Sequence, residues 1–221
     1  MKTVSNRQLD LFAVIFLLLF FLTNFSYAKE FAVTIDLCPS HKPYEARLFN
    51  YLDHLGKKLG RPLPVGVSVS GKWIRQHPRE LEKIKKCYLD ITWINHSLTH
   101  PIANDFLNNP TVNFTQEVMG NIYLMKANGL SPSIYFRFPG LRHSSVRLAE
   151  LKALGYRKLD ADAWLAKGKK IKDGSIVLVH GNGNEPKGVT ILLRYLRTQE
   201  NDILNGRIKV VNFREINTNN I

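Results

Sequence analysis

Cysteine is scarce in this 221-residue chain, with only Cys38 and Cys87 present. In an oxidising compartment such a pair raises the question of a disulfide. The layout argues against one. Cys38 follows the first strand-like run, and Cys87 ends a helical pattern that leads into a later strand. An α/β fold puts those positions at opposite ends of its sheet, beyond the ~7 Å between Cα atoms that a bridge tolerates. Acidic residues are also few, 18 against 31 lysines and arginines, giving a net charge of +13 with histidine neutral. That balance favours anionic surfaces. No repeat or low-complexity segment interrupts the chain. Its long apolar run, Leu11 to Leu22, is shorter than the roughly 20 residues a membrane-spanning helix needs.

The setting of that run is a leader. Lys2 and Arg7 precede it, and Ser26, Tyr27 and Ala28 follow it as a small-x-small cleavage pattern, which together read as a signal peptide over residues 1–28. No cysteine follows the expected cut, so a lipid-anchored start has no support. Cleavage leaves residues 29–221, enough for one sizeable core and too few for two large domains. A periplasmic or secreted protein with no stable membrane span after cleavage is the expectation. Export directs the basic surface away from nucleic acid and toward an anionic cell-envelope polymer or membrane surface. Runs such as Lys167 to Gly174 (KGKKIKDG) read equally well as a solvated face.

After the leader, strand-like runs alternate with helical patterns. The runs are Phe31 to Asp36, Pro64 to Ser68, Leu89 to Ile94, Ser133 to Phe138, Tyr156 to Asp160, Ser175 to Val179 and Ile208 to Phe213. Between them apolar residues recur at helical spacing, as in Leu48, Leu52, Leu55 and Leu59, with Gly60 and Pro62 as stops. Similar patterns cover Pro78 to Cys87, Thr115 to Asn128, Ser144 to Leu154 and Val189 to Arg197. Alternation of this kind predicts a parallel α/β domain with a site at the carboxyl ends of its strands.

Chemistry-bearing residues collect at those ends. Asp36 closes the first run, Asn95 to His100 (NHSLTH) follows the third, Arg137 closes the fourth, Asp160 and Asp162 the fifth, and His180 the sixth. A chain turning helically after Ile94 places His96 and His100 on one side, where two imidazoles can share a divalent metal. Singly, each residue has a plainer reading: Arg137 as a surface charge, Asp160 as a helix cap, His180 as a polar stop. Five strand ends together argue for a site.

In this order the motifs resemble those of the polysaccharide deacetylases, the group with the NodB homology domain. VTIDLCP (Val33 to Pro39) resembles the first motif, usually TFDDGP. VSGKWIRQHPRELEKI looks like the lead-in to the histidine motif, and HSLTH matches it. FRFPG (Phe136 to Gly140), DADAW (Asp160 to Trp164) and LVH (Leu178 to His180) resemble the remaining three. The resemblance runs from about Phe31 to the C-terminus and implies a distorted (β/α)7 barrel. It also implies a divalent metal, zinc being the expected ion, and hydrolysis of acetyl groups on amino sugars or sugar hydroxyls. Carried over, His96 and His100 hold the metal, Asp36 takes a proton from water and Arg137 holds that carboxylate. His180 protonates the departing nitrogen, Asp162 or Asp160 orients it, and Trp164 and Leu178 wall the acetyl methyl.

Two positions depart from the family pattern. Leu37 stands where the family has a second aspartate, its third metal ligand, and Ala163 stands before Trp164 where aspartate is frequent. Water, a shifted Asp36 or a Cys38 thiolate could fill the missing place, because strand alternation puts Asp36 and Cys38 on one face and Leu37 on the other. A buried, inert thiol is the expected state of Cys38. The segments Gly181 to Gly188 (GNGNEPKG), flexible by composition, and Pro101 to Pro110 read either as groove walls or as plain connections. The leading expectation is an exported deacetylase acting on an acetylated cell-envelope or extracellular glycan. The alternatives are a deacetylase-like glycan-binding protein without turnover, motivated by Leu37 and Ala163, and a basic structural protein of the envelope.

Overall fold

The computed structural model describes residues 28–40, 42, 44–101, 106, 109 and 111–216. The leader therefore lies outside the described residues apart from Ala28, and so does most of 101–110. Among the described residues eight strands form: β1 Lys29–Leu37, β2 Leu63–Val69, β3 Leu89–Asn95, β4 Pro132–Phe136, β5 Arg157–Lys158, β6 Ala163–Trp164, β7 Ser175–His180 and β8 Ile208–Val210. The seven expected runs all supply strands. Ala163–Trp164 is an addition, too short for any periodicity to mark it.

Every pairing is parallel, in the order β5-β4-β3-β2-β1-β7-β6, and β8 joins β1 at Lys29–Phe31. Helices α1 Ala46–Lys58, α2 Gly71–Gln76, α3 Pro78–Lys85, α4 Phe114–Ala127, α5 Ser145–Ala153, α6 Pro186–Thr198 and α7 Glu200–Leu204 connect them. The architecture is a distorted (β/α)7 barrel. Among the described residues its sheet path ends at β5 and β6 without pairing between them.

Strand alternation divides the core into two layers. On β1 the odd residues Val33, Ile35 and Leu37 pack outward with Leu48, Phe49, Leu52 and Leu55 of α1 and Val189 and Leu192 of α6. Ala32, from the inward set, belongs to a plug with Ile94, Leu159, Ile176, Val211 and Phe213. Gly66 makes room for that plug, since a Cβ there would stand 2.9 Å from Ile94 Cδ1 and 3.1 Å from Phe213. Above it the inward positions of β1 turn polar, Thr34 and then Asp36. Polar groups at the carboxyl end over an apolar base are what a strand-end site requires.

Local chemistry sets the helix starts that matter here. The Asn113 side chain accepts from Gln116 N at 3.0 Å to begin α4, and Ser144 accepts from Arg147 N at 3.2 Å to begin α5. Both cysteines are free, Cys38 just past the carboxyl end of β1 and Cys87 ahead of the amino end of β3. No helix among the described residues is long and apolar enough to cross a membrane.

Candidate active site

Asp36 and His180 are register partners at the ends of β1 and β7, so two neighbouring strands deliver them side by side. Asp36 is 3 % exposed. Its Oδ1 accepts from Arg137 Nη1 at 2.9 Å, and its Oδ2 lies 3.8 Å from His96 Nε2. Burial pushes this carboxyl up, but the Arg137 charge, those of His96 and His180, and the Arg137 hydrogen bond outweigh it and bring the pKa down to about 2. The group is a carboxylate at neutral pH.

Arg137 is fully buried, which removes its reading as a surface charge. Its Nη1 also donates to Thr34 Oγ1 at 2.8 Å, while Nη2 and Nε reach the Asp160 and Leu159 carbonyls at 3.2 and 3.4 Å. Its own carbonyl accepts from His96 Nδ1 at 2.8 Å. A carbonyl can only accept, so the proton sits on Nδ1 and the lone pair of His96 is on Nε2. That nitrogen faces Cys38 Sγ at 3.5 Å.

The histidine pair does meet, with ring centroids 4.8 Å apart and planes at 72°. The expected helical turn is not how it meets. Ser97 and His100 take left-handed backbone conformations, φ 66° and 58°, a cost of roughly 1–2 kcal/mol each for a non-glycine residue. Side chains hold this loop in place. Ser97 N donates to Asn95 Oδ1 at 3.0 Å and His100 N to Ser97 Oγ at 3.1 Å. Glu117 of α4 accepts from Thr99 N at 2.9 Å and Thr99 Oγ1 at 2.7 Å. Nε2 of His100 is buried and has no hydrogen-bond partner among the described residues. Burial first, then the His96 charge, pushes the His100 imidazole down to about 3, and burial likewise lowers His96. Both rings are neutral and bear lone pairs suited to a cation.

Cys38, His96 and His100 offer Sγ and ring nitrogens that all lie within 4.8 Å of one another. Burial, followed by the charges of Asp36 and Glu185, pushes the free Cys38 thiol well up. Leu37 is fully buried in the outward layer. An unpartnered buried nitrogen, a second lone pair and a sulfur in one cluster fit a divalent metal of the borderline-soft kind.

At the end of β7 His180 Nδ1 stands 2.8 Å from Glu185 Oε2, at ion-pair distance though not at hydrogen-bond angles. Trp164 Nε1 donates to the same oxygen at 2.7 Å, and Lys167 Nζ lies 3.5 Å from Oε1. The contact with His180 above all, joined by that with Trp164, holds the Glu185 carboxyl down at about 2 despite burial. Glu185 therefore occupies the place expected of Asp162. Asp162 lies at the other end of β7, where its oxygens accept from Ser175 Oγ at 3.0 Å and Ile176 N at 2.6 Å. Asp160 pairs with Lys158, and only its carbonyl reaches the site, through Arg137.

Cys38, Lys72, Thr99, His100, Trp164, Lys167, His180 and Glu185 line a groove of about 490 Å³. Trp164 is thus a wall residue, whereas Leu178 is 1 % exposed and lies below His180 on the same face of β7. The segment after His180 is anchored, not a flexible turn. Asn182 is fully buried, its Nδ2 donates to the Cys38 carbonyl at 2.8 Å, and its own carbonyl accepts from Ser40 Oγ at 3.0 Å.

The barrel has the fold of the NodB-type polysaccharide deacetylases. Among solved structures, a family 4 carbohydrate esterase from Bacillus anthracis is 20 % identical, matching 88 % of this chain and 85 % of its own with a TM-score of 0.64. A pseudoenzyme of carbohydrate esterase family 4 from the same organism is 17 % identical over 86 % of this chain, with a TM-score of 0.63. This chain spans about two thirds of that protein's length, 66 %. The peptidoglycan deacetylase PdaC from Bacillus subtilis is 16 % identical, matching 87 % of this chain and 92 % of its own with a TM-score of 0.59. No protein-family model matches the chain.

Proposed function

We propose that this protein is an exported, metal-dependent hydrolase that removes acetyl groups from an N-acetylated polysaccharide of the cell envelope or surroundings. One observation carries the reading: Asp36, buried and ionised against Arg137, stands beside a histidine cluster with lone pairs free and beside the strand end of His180, which lines an open groove. His96 and His100 would hold the metal, expected to be zinc. When bound, the ion supplies Lewis acidity for the acetyl carbonyl and lowers the pKa of the attacking water.

Asp36 takes the proton of that water, and the guanidinium of Arg137 keeps the carboxylate aimed and charged. His180 gives a proton to the departing nitrogen. Glu185 is a positioning residue that holds the imidazole from behind, and Trp164 closes the side of the groove. Lys72 and Lys167 on the rim, with the net charge of +13, favour a glycan embedded among anionic polymers. Export rests on the leader at residues 1–28, and residues 29–221 carry the activity as one domain.

The test is acetate release. Purified protein with a divalent metal is incubated with N-acetylated oligosaccharides and with O-acetylated sugars, which separates amide from ester hydrolysis. No acetate from any substrate or metal would sink the proposal. A second reading, glycan binding without turnover, draws on Leu37 being buried in the outward layer, and the pseudoenzyme fold neighbour gives it precedent. It requires binding that survives Asp36→Asn with no acetate from either form.

Glu185 and Asp162 separate in the same assay. Glu185→Gln is expected to lower kcat roughly 10- to 100-fold with KM little changed. Asp162→Asn is expected to keep kcat and cost about 1–3 kcal/mol of stability through the one acceptor oxygen that the amide replaces by a donor. Loss of kcat in Asp162→Asn with Glu185→Gln unaffected would reverse the assignment.

A further inference from the structure

The geometry points to Cys38 as the third protein ligand of the metal, a thiolate that takes the place of a carboxylate one residue earlier. The inference rests on the proposal that the histidine pair binds a metal. It goes beyond that proposal in naming the donor and its consequence.

Position 37 cannot easily supply a ligand. Leu37 is fully buried among Ile35, Leu48 and Phe49 on the helix side of β1, and its carbonyl accepts from Ser70 N at 3.2 Å and Ser70 Oγ at 3.1 Å. Turning that side chain inward would break the alternation that also sets Asp36. Cys38 is the next residue on the inward face. Its Sγ lies 3.5 Å from His96 Nε2, and a tetrahedral zinc with ordinary Zn–S and Zn–N bonds has a sulfur-to-nitrogen edge of about 3.5 Å. All three ligand atoms lie within 4.8 Å of one another.

The surroundings hold Cys38 in that position. Asn182 Nδ2 binds its carbonyl at 2.8 Å, and His77 Nε2 lies 2.6 Å from the Ser40 carbonyl two residues on. Asp36 is a poorer candidate, because Oδ1 is committed to Arg137 at 2.9 Å. With sulfur as ligand, Asp36 stays free to act on water. On binding, the S–H bond breaks as the metal–sulfur bond forms, and the proton leaves to the buffer. A thiolate beside two imidazoles selects zinc or cobalt over magnesium, manganese or calcium.

The test uses Co²⁺ as the probe on the full protein, followed by titration and absorption spectroscopy. Wild type is expected to bind one cobalt with a near-ultraviolet thiolate-to-cobalt band. Cys87→Ser, which removes the other thiol, keeps the band. Cys38→Ser loses it and weakens binding at least about tenfold, and Cys38→Asp recovers affinity without it. Circular dichroism and thermal melts establish that each variant is folded. Cobalt bound without the band, or unchanged affinity in Cys38→Ser, overturns the cysteine assignment and leaves the metal site standing. Wild type that takes up no cobalt or zinc overturns both.

Discussion

Arg137→Met is expected to cost the folded state about 3–5 kcal/mol, the range for removing one partner of a buried ion pair. The guanidinium is fully buried and holds Thr34, Asp36 and the carbonyls of Leu159 and Asp160. Those four acceptors come from β1, inside the sheet path, and from the stretch after β5, at one of its ends, so one side chain ties together strands that do not pair with each other. Methionine fills much of the volume and satisfies none of the acceptors. The Asp36 charge is then left without a counter-ion in an apolar interior, which accounts for most of the loss. Arg137→Lys is not a conservative replacement, since one ammonium cannot reproduce a planar fork with bonds in several directions. Pairing Arg137→Met with Asp36→Leu removes the stranded charge and is expected to recover part of the stability while acetate release stays lost. Urea unfolding at neutral pH measures each step. A loss below about 1 kcal/mol in Arg137→Met would falsify the view that this pair is structural as well as catalytic.

Much of this site was legible because a parallel barrel has one rule: the carboxyl ends of its strands converge. Once β-branched runs mark the strands, Asp36, His96, Arg137 and His180 must lie near one another whatever the loops do. The facing of Cys38 and Leu37 follows as directly from alternation along β1. Contacts made by loops were harder to read. Nothing in HSLTH marks Ser97 and His100 for left-handed backbone, and one of the contacts that hold the loop, Glu117 on Thr99, comes from a helix further along the chain. Glu185 sits in a run whose composition reads as a turn, and its role depends on Asn182 pinning that run to Cys38. The available signal was an acid five residues past His180 and directly before Pro186, the first residue of a helix. Asp162 shows the converse, since a motif places a residue along the chain but not at one end of a strand or the other.

Acidifying the metal-free protein is expected to unfold it well above the usual carboxylate range. His100 in the folded state titrates at about 3 against its ordinary 6.5, so between those values the unfolded chain binds the additional proton. Stability is therefore full above about pH 6.5 and falls as pH drops through the window, by about 1.4 kcal/mol per unit. By pH 4 that single ring has cost about 3 kcal/mol, and His96, lowered in the same direction, adds to it. Asp36 acts later and with the same sign. Its folded value of about 2 lies below the ordinary 3.8, so its contribution is complete above 3.8 and disappears as pH falls toward 2. Unfolding of chelator-treated protein at a series of pH values from 7.5 to 4 measures the slope, and His100→Gln should reduce it by about one proton's worth. Zinc should steepen the profile, because the Cys38 thiol inferred as a ligand must lose its proton to bind the ion, and binding therefore weakens as pH falls. Flat stability between pH 6.5 and 4.5 would mean that His100 titrates normally in the folded protein, and with it would go the picture of two uncharged rings waiting for a cation.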